Sequence, residues 1–112
     1  MIVDELRKYC RTLPAATEEI KWGNDLCFCV GGKMFCVVSL TSPLGISFKV
    51  KDDDFDEMVN TEGFMPAPYI ARYKWVFLQN VHKVSKEKLE FYIKQSYDLV
   101  KLKLSKKVLS RL

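Results

Sequence analysis

Three groups of residues in this 112-residue sequence have the types and spacings that chemistry uses. The first is a set of soft ligands, Cys27, Cys29 and Cys36 with His82. Residues two apart in a strand share a face, so Cys27 and Cys29 could touch one ion. Zinc sites, however, usually space a cysteine pair roughly two to four residues apart on a turn, where both thiolates converge. His82 also lies far along the chain, so the cysteines read as buried core thiols and no metal site is expected. The second group is acidic: Asp52, Asp53, Asp54, Asp56 and Glu57. Hard cations need clustered carboxylates, but these residues open an amphipathic segment, where acids cap a helix and suit its dipole. The third group runs from Met65 to Val76 and mixes prolines and aromatic rings with Arg72 and Lys74. Proteins that hold nucleic acids combine cations that neutralise phosphates with rings that stack on bases.

Catalytic patterns are absent. There is one histidine, no nucleophile elbow, and no glycine-rich phosphate loop, since Gly31-Gly32-Lys33 is too short for one. A non-enzymatic protein without catalytic residues or a cofactor is expected.

The net charge of +4 is unevenly distributed. Residues 1–62 hold 7 Lys and Arg against 11 Asp and Glu, whereas residues 63–112 hold 11 against 3. The second part is therefore the basic one, as a surface for phosphates or acidic partners requires, although a solvated helix face with a basic tail gives the same count.

These residues must be positioned by one small domain spanning residues 1–112, because a second core would have too few residues to fold. Val3, Leu6, Tyr9, Cys10 and Leu13 repeat at helical spacing over Ile2 to Thr12, and Leu13-Pro14 ends that helix. Glu18 to Trp22 reads as a short strand. Leu26 to Val30 and Met34 to Leu40 read as two strands of a hairpin turning at Gly31-Gly32-Lys33, apolar on both faces as covered central strands are. Ile46, Phe48 and Val50 alternate with Ser47, Lys49 and Lys51, so that strand has one wet face. Asp52 to Asp54 are N-cap candidates for a short helix carrying Phe55, Met58 and Val59. Pro66 and Pro68 forbid a helix at the start of the aromatic stretch, which is expected to pass from a rigid loop into a strand in which Tyr73, Trp75 and Phe77 alternate with Lys74, Val76 and Leu78. Ser85 caps a long last helix repeating Leu89, Tyr92, Ile93, Ser96, Tyr97, Val100 and Leu104 on one face. The order implies an α+β fold of two layers, an antiparallel sheet of about five to six strands with helices mainly on one face. No apolar run reaches the roughly 20 residues that cross a bilayer, so a cytoplasmic protein without membrane contact is expected.

Six segments in register also resemble the MmcQ/YjbR family of small bacterial proteins over almost the whole chain. They are Leu13-Pro14-Ala15-Ala16-Thr17-Glu18-Glu19, Lys21-Trp22-Gly23, Val30-Gly31-Gly32-Lys33-Met34-Phe35, Ser47-Phe48-Lys49, Pro66 to Val76, and Ser96-Tyr97-Asp98-Leu99-Val100. The resemblance implies a CyaY-like double-wing fold, a DNA-binding label that rests on that shape, and no catalytic residue. The chain departs from the commonest pattern at Ala15, where many members have Gly, and in its Cys27 and Cys29 strand.

The leading expectation is a DNA-binding module in which Lys33, Lys49, Arg72 and Lys74 meet phosphates, Tyr69 adds a stacking surface, and the Gly31 to Lys33 hairpin acts as a wing. Pro66, Pro68 and Trp75 are assigned to holding the loop. The alternative is a small anionic ligand, a peptide or another protein partner held in a pocket near Trp22, Tyr69, Arg72 and Trp75. A structural reading of the same aromatics places Tyr69, Trp75, Trp22 and Phe77 in the core, with Arg72 paired to Glu18 or Glu19.

Overall fold

The computed structural model describes residues 3–41 and 44–112. Helix α1 (Val3–Thr12) is followed by strands β1 (Ala16–Lys21), β2 (Asp25–Val30), β3 (Lys33–Ser39) and β4 (Gly45–Lys49). Helix α2 (Asp52–Val59), strands β5 (Phe64–Pro66) and β6 (Trp75–Leu78), and helices α3 (Lys86–Lys101) and α4 (Lys106–Leu109) complete the chain. The six strands form one antiparallel sheet in the order β1-β2-β3-β4-β6-β5. The expected α+β architecture is present, with α3 packed across β2, β3 and β4 and α1 against β1. Ile2, assigned to the first helix from its spacing, lies outside the described residues.

Strand alternation divides the sheet into two faces. Phe28, Cys36, Phe48 and Val76 are register partners in turn, and all belong to the main core beneath the helices. Aromatic pairs join the layers: Phe35 meets Tyr97 edge to face at 5.3 Å, and Phe48 stacks on Tyr92 at 5.1 Å. The Tyr97 hydroxyl donates to the Pro14 carbonyl at 2.6 Å, tying α3 to the end of α1.

A polar bond sits inside this core. Beyond the Cys36–Phe48 pair, β3 and β4 lack the next direct ladder bond, and the fully buried Ser96 of α3 fills the opening. The Lys49 N–H donates to Ser96 Oγ at 2.9 Å, and the Ser96 hydroxyl donates to the Phe35 carbonyl at 2.6 Å. One hydroxyl thus satisfies two backbone groups that would otherwise be buried without partners.

Turn chemistry explains two departures from ordinary backbone geometry. Leu13 to Ala16 close a turn through Ala16 N–H to Leu13 C=O at 3.2 Å, with Pro14 second and Ala15 third at φ +62°. That is a type II turn, whose third position favours glycine. The structure thereby supplies a physical reason why Ala15 stands out from the family pattern. Gly31 and Gly32 both have positive φ and form the two-residue loop between the paired Val30 and Lys33.

Several local expectations are corrected. Asp52, Asp53 and Asp54 form the first turn of α2; its N-cap is Lys51, without a side-chain capping bond. Tyr73 belongs to a 3-10 turn, Ala71–Tyr73, so β6 begins only at Trp75. Lys74 ends that turn in the left-handed region at φ +67°, where strand geometry cannot continue. Leu104 lies beyond the end of α3 and packs from the connection to α4. Arg72 pairs with neither Glu18 nor Glu19: the Glu18 carboxylate binds Arg7 of α1 at 2.7 Å and Arg11 at 3.0 Å, and Glu19 meets Lys21 at 3.4 Å. The two guanidiniums hold the Glu18 carboxyl down to about 2. Ser85 caps α3 as expected, accepting from Lys88 N–H at 3.2 Å.

Three predictions follow from this packing. Ser96→Ala leaves the Lys49 N–H and the Phe35 C=O unpaired and lowers stability by about 2 kcal/mol or more in urea unfolding. Ala15→Gly relieves the turn and raises stability by about 0.5 kcal/mol, the left-handed penalty outweighing the added freedom of the unfolded chain. Because the Glu18 pKa is depressed on folding, its ion pair contributes above about pH 4.5 and is lost as pH falls toward 2. Glu18→Gln therefore costs about 1 kcal/mol at pH 7, allowing for solvent screening, and the difference from the unsubstituted protein shrinks as pH falls from about 4.5 through 2 in a pH series of melts.

Candidate functional site

The face of the sheet turned away from the helices is only partly covered. Asp25, Cys27, Val37, Ser47 and Phe77 point to it by alternation, since Cys27 pairs with Val37, Val37 with Ser47, and Ser47 with Phe77. The segment from Ala67 to Tyr73 folds back over the β6 side. It leaves Ala67 and Trp75 buried but outside the main core, in agreement with a structural role for Trp75. Cys27 and Cys29 are buried on this face too, and burial pushes the Cys27 thiol up to about 11. It therefore stays a protonated, unreactive packing group.

A trough of about 440 Å³ remains in the middle of this face. Met34, Val37 and Ser47 line it together with Ile70, while Trp22 and Tyr69 stand at its rim and Asp25 joins the lining from the start of β2. Tyr69 is 99% exposed and Trp22 69% exposed, so neither ring is a core residue. Trp75 is the aromatic for which the core reading holds, and Phe77 is half-buried.

Trp22 and Tyr69 share a second property. Both lie in the left-handed backbone region, at φ +52° and +69°. Bulky residues rarely go there, each instance costing on the order of 1 kcal/mol or more, and such residues concentrate at functional sites. Trp22 follows β1 and precedes Gly23 at φ +83°, so two successive left-handed residues make the turn that turns its ring outward. The expected pocket near Trp22, Tyr69, Arg72 and Trp75 is thus corrected: Trp22 and Tyr69 flank the trough, Arg72 is not in its lining, and Trp75 lies under the crossing segment.

The basic residues singled out from sequence come from separate segments that the sheet register collects. Lys33 begins β3 beside the hairpin loop, Lys49 ends β4, and Trp75, the partner of Lys49, follows Lys74. Antiparallel pairing puts Lys33, Lys49 and Lys74 at one end of the sheet, next to the 3-10 turn that carries Arg72. Their side chains differ in freedom. Lys33 is exposed. Lys49 donates from Nζ to the Tyr73 carbonyl, and its pKa is lowered, chiefly by burial and further by Lys103 and Lys74. Lys74 lies 5.0 Å from the centre of the Phe55 ring, and the Arg72 guanidinium stands 4.8 Å over Tyr73. The hairpin is not a free wing along its whole tip: a Cβ on Gly31 would lie 2.7 Å from Leu104 and 2.9 Å from Val108. Gly32 and Lys33 alone project. Sequence reasoning missed the participation of the C-terminal segment, whose one signal was Ser105, a side-chain cap for α4.

Among the described residues no three His, Cys, Asp or Glu side chains converge as a metal site, and no helix is long and apolar enough to cross a membrane.

The family model YjbR matches residues 11–99, most of the chain. The chain belongs to the YjbR family. Its fold is similar to that of the Deinococcus radiodurans protein DR2400, whose family domain is DUF419. The TM-score is 0.85 at 26% identity, over 97% of this chain and 86% of that one. A Pseudomonas syringae protein, structural genomics target PsR293, shares the fold at TM-score 0.73 and 13% identity, over 88% of this YjbR chain and 98% of its own. No curated protein matches significantly.

An exposed tyrosine held in a strained conformation should be dispensable for folding of this YjbR domain. Tyr69→Gly is expected to leave stability unchanged or raise it by up to about 1 kcal/mol in urea unfolding. A loss larger than that would show that the ring serves packing.

Proposed function

We propose that this YjbR domain is a non-enzymatic nucleic-acid-binding module. The observation that carries the reading is the register that gathers Lys33, Lys49 and Lys74 at one end of one sheet, beside Arg72 and the exposed ring of Tyr69. Phosphate contacts come from the exposed Lys33, and from Arg72 and Lys74, whose charges rest over the Tyr73 and Phe55 rings. Lys49 holds the Tyr73 carbonyl and so orders the segment that carries Arg72. The connection after α3 adds Lys103 and α4 adds Lys106 and Lys107 near the hairpin, where Leu104 and Val108 pack on Gly31. Acidic Asp52 and Asp53 lie beside Lys49, Lys51 and Lys103 in an adjoining cleft, and they limit the positive surface on that side. A protein with a net charge of +4 and this layout suits salt-sensitive binding of moderate strength.

The trough favours a second reading, a small ligand or peptide. Its lining is mainly apolar and excludes Arg72, so a ligand there would be recognised through an aromatic or apolar group and not through a negative charge.

Filter binding of a short DNA at roughly 50 and 200 mM salt tests the proposal. Affinity should fall with salt, with a log–log slope of about −0.7 to −0.9 for each phosphate neutralised. Lys33→Gln and Arg72→Gln should each weaken binding and reduce that slope by about 1. Absence of binding at the lower salt, or binding insensitive to salt, would sink the nucleic-acid reading.

A further inference from the structure

From the outer face we infer that the trough between Trp22 and Tyr69 captures one unpaired base of a single-stranded nucleic acid, with guanine preferred. The inference rests on the nucleic-acid reading and deepens it by naming the strand type and the base.

The trough offers what a base requires on each of its sides. Its apolar lining comes from Met34 and Val37, and its rim carries two aromatic rings that the fold exposes at the cost of left-handed backbone at both positions. Every base has a π-face, and stacking on aromatic side chains is the common way in which proteins hold single strands. A duplex hides those faces within its own stack, so only an unpaired or extruded base can enter. Cations flank the rim. Lys21 Nζ lies 5.9 Å from the centre of the Trp22 ring and 3.4 Å from Glu19, a surface pair that a phosphate would have to displace, and Arg72, over the Tyr73 ring, follows Tyr69 on the same crossing segment. Phosphates on either side of a bound nucleotide would find positive charge there.

Base choice follows from Asp25. Its carboxylate shares the outer face with Cys27 and makes no hydrogen bond or ion pair among the described residues. An ionised carboxylate only accepts hydrogen bonds. Guanine presents two adjacent donors on its Watson–Crick edge, the ring N1–H and the exocyclic amino group, and can engage both carboxylate oxygens. Adenine and cytosine present one donor beside an acceptor, and thymine flanks its one donor with two carbonyls. Ser47, which both donates and accepts, does not discriminate among them.

The test uses the full chain and reads quenching of tryptophan fluorescence, since Trp22 is exposed and Trp75 is buried. The probes are single-stranded DNA octamers of each base, an abasic octamer with the same phosphates, a hairpin duplex, and a short phenylalanine-containing neutral peptide. The expected result is quenching by base-bearing strands, with affinity about tenfold or more above the abasic octamer and the duplex. Oligo-dG, kept unstructured by lithium buffer, should bind several-fold tighter than oligo-dT, and Asp25→Asn should erase that difference. Tyr69→Gly should bring base-bearing and abasic strands to equal affinity while circular dichroism stays unchanged. Equal, salt-dependent affinity for abasic and base-bearing strands would overturn the inference and leave the nucleic-acid reading intact. No binding of any oligonucleotide at low salt would overturn both, and quenching by the peptide alone would assign the trough to a peptide.

Discussion

The seam between β3 and β4 depends on a hydroxyl that neither strand supplies. Ser96 of α3 accepts from the Lys49 N–H and donates to the Phe35 carbonyl, so the helix is bonded into the sheet ladder as well as packed upon it. A fully buried polar group is tolerated only when its partners are satisfied, which limits α3 to one height and one rotation on the sheet. With α3 set in this way, Tyr97 reaches Pro14, Phe35 meets Tyr97 edge to face, and the chain after α3 arrives where Leu104 and Val108 cover Gly31. The same bond marks the end of the sheet at which Lys33, Lys49 and Lys74 assemble.

The two sheet faces have been given different tasks. The helix face is a continuous core of apolar side chains, with the Arg7–Glu18–Arg11 cluster fastening α1 to the edge strand β1. The outer face is closed by a crossing segment on one side and left open in the middle. Of the four non-glycine residues with positive φ among the described residues, Ala15 and Lys74 answer to turn geometry at the ends of a helix and of a 3-10 turn. Trp22 and Tyr69 are different. Each carries a large exposed ring to the rim of the trough, and no burial offsets the conformational cost.

Similarity among these folds speaks to shape before function. The Pseudomonas syringae protein keeps the architecture at 13% identity, so a wide range of surfaces is compatible with this sheet and these helices. Function has to be argued from the site each chain presents. In this chain that site is made by four separated segments: the turn after β1 running into the start of β2, strand β3, strand β4, and the crossing segment.

Periodicity and turn chemistry were sufficient for most of the architecture. The alternation of β2 to β4, the double glycine, Leu13-Pro14 and the Ser85 cap are local signals, and each matches its element to within a few residues. The acidic start of α2 was legible, but its N-cap was not, because three successive aspartates offer equivalent candidates and backbone geometry chooses Lys51. Tyr73 looked like a strand residue because alternation cannot register a left-handed residue at Lys74. The identities of Lys33, Lys49, Tyr69, Arg72 and Lys74 as residues of interest came from chemistry and composition, without reference to place. Tertiary structure alone decided that three lysines share one sheet end, that Lys49 is engaged by a carbonyl, and that Trp22 faces the same trough as Tyr69 across 47 residues of chain. The physical reason is that local patterns report which way a side chain points within its own element, whereas proximity between elements is set by strand order and by the few long-range bonds, such as that of Ser96, that hold the layers in register.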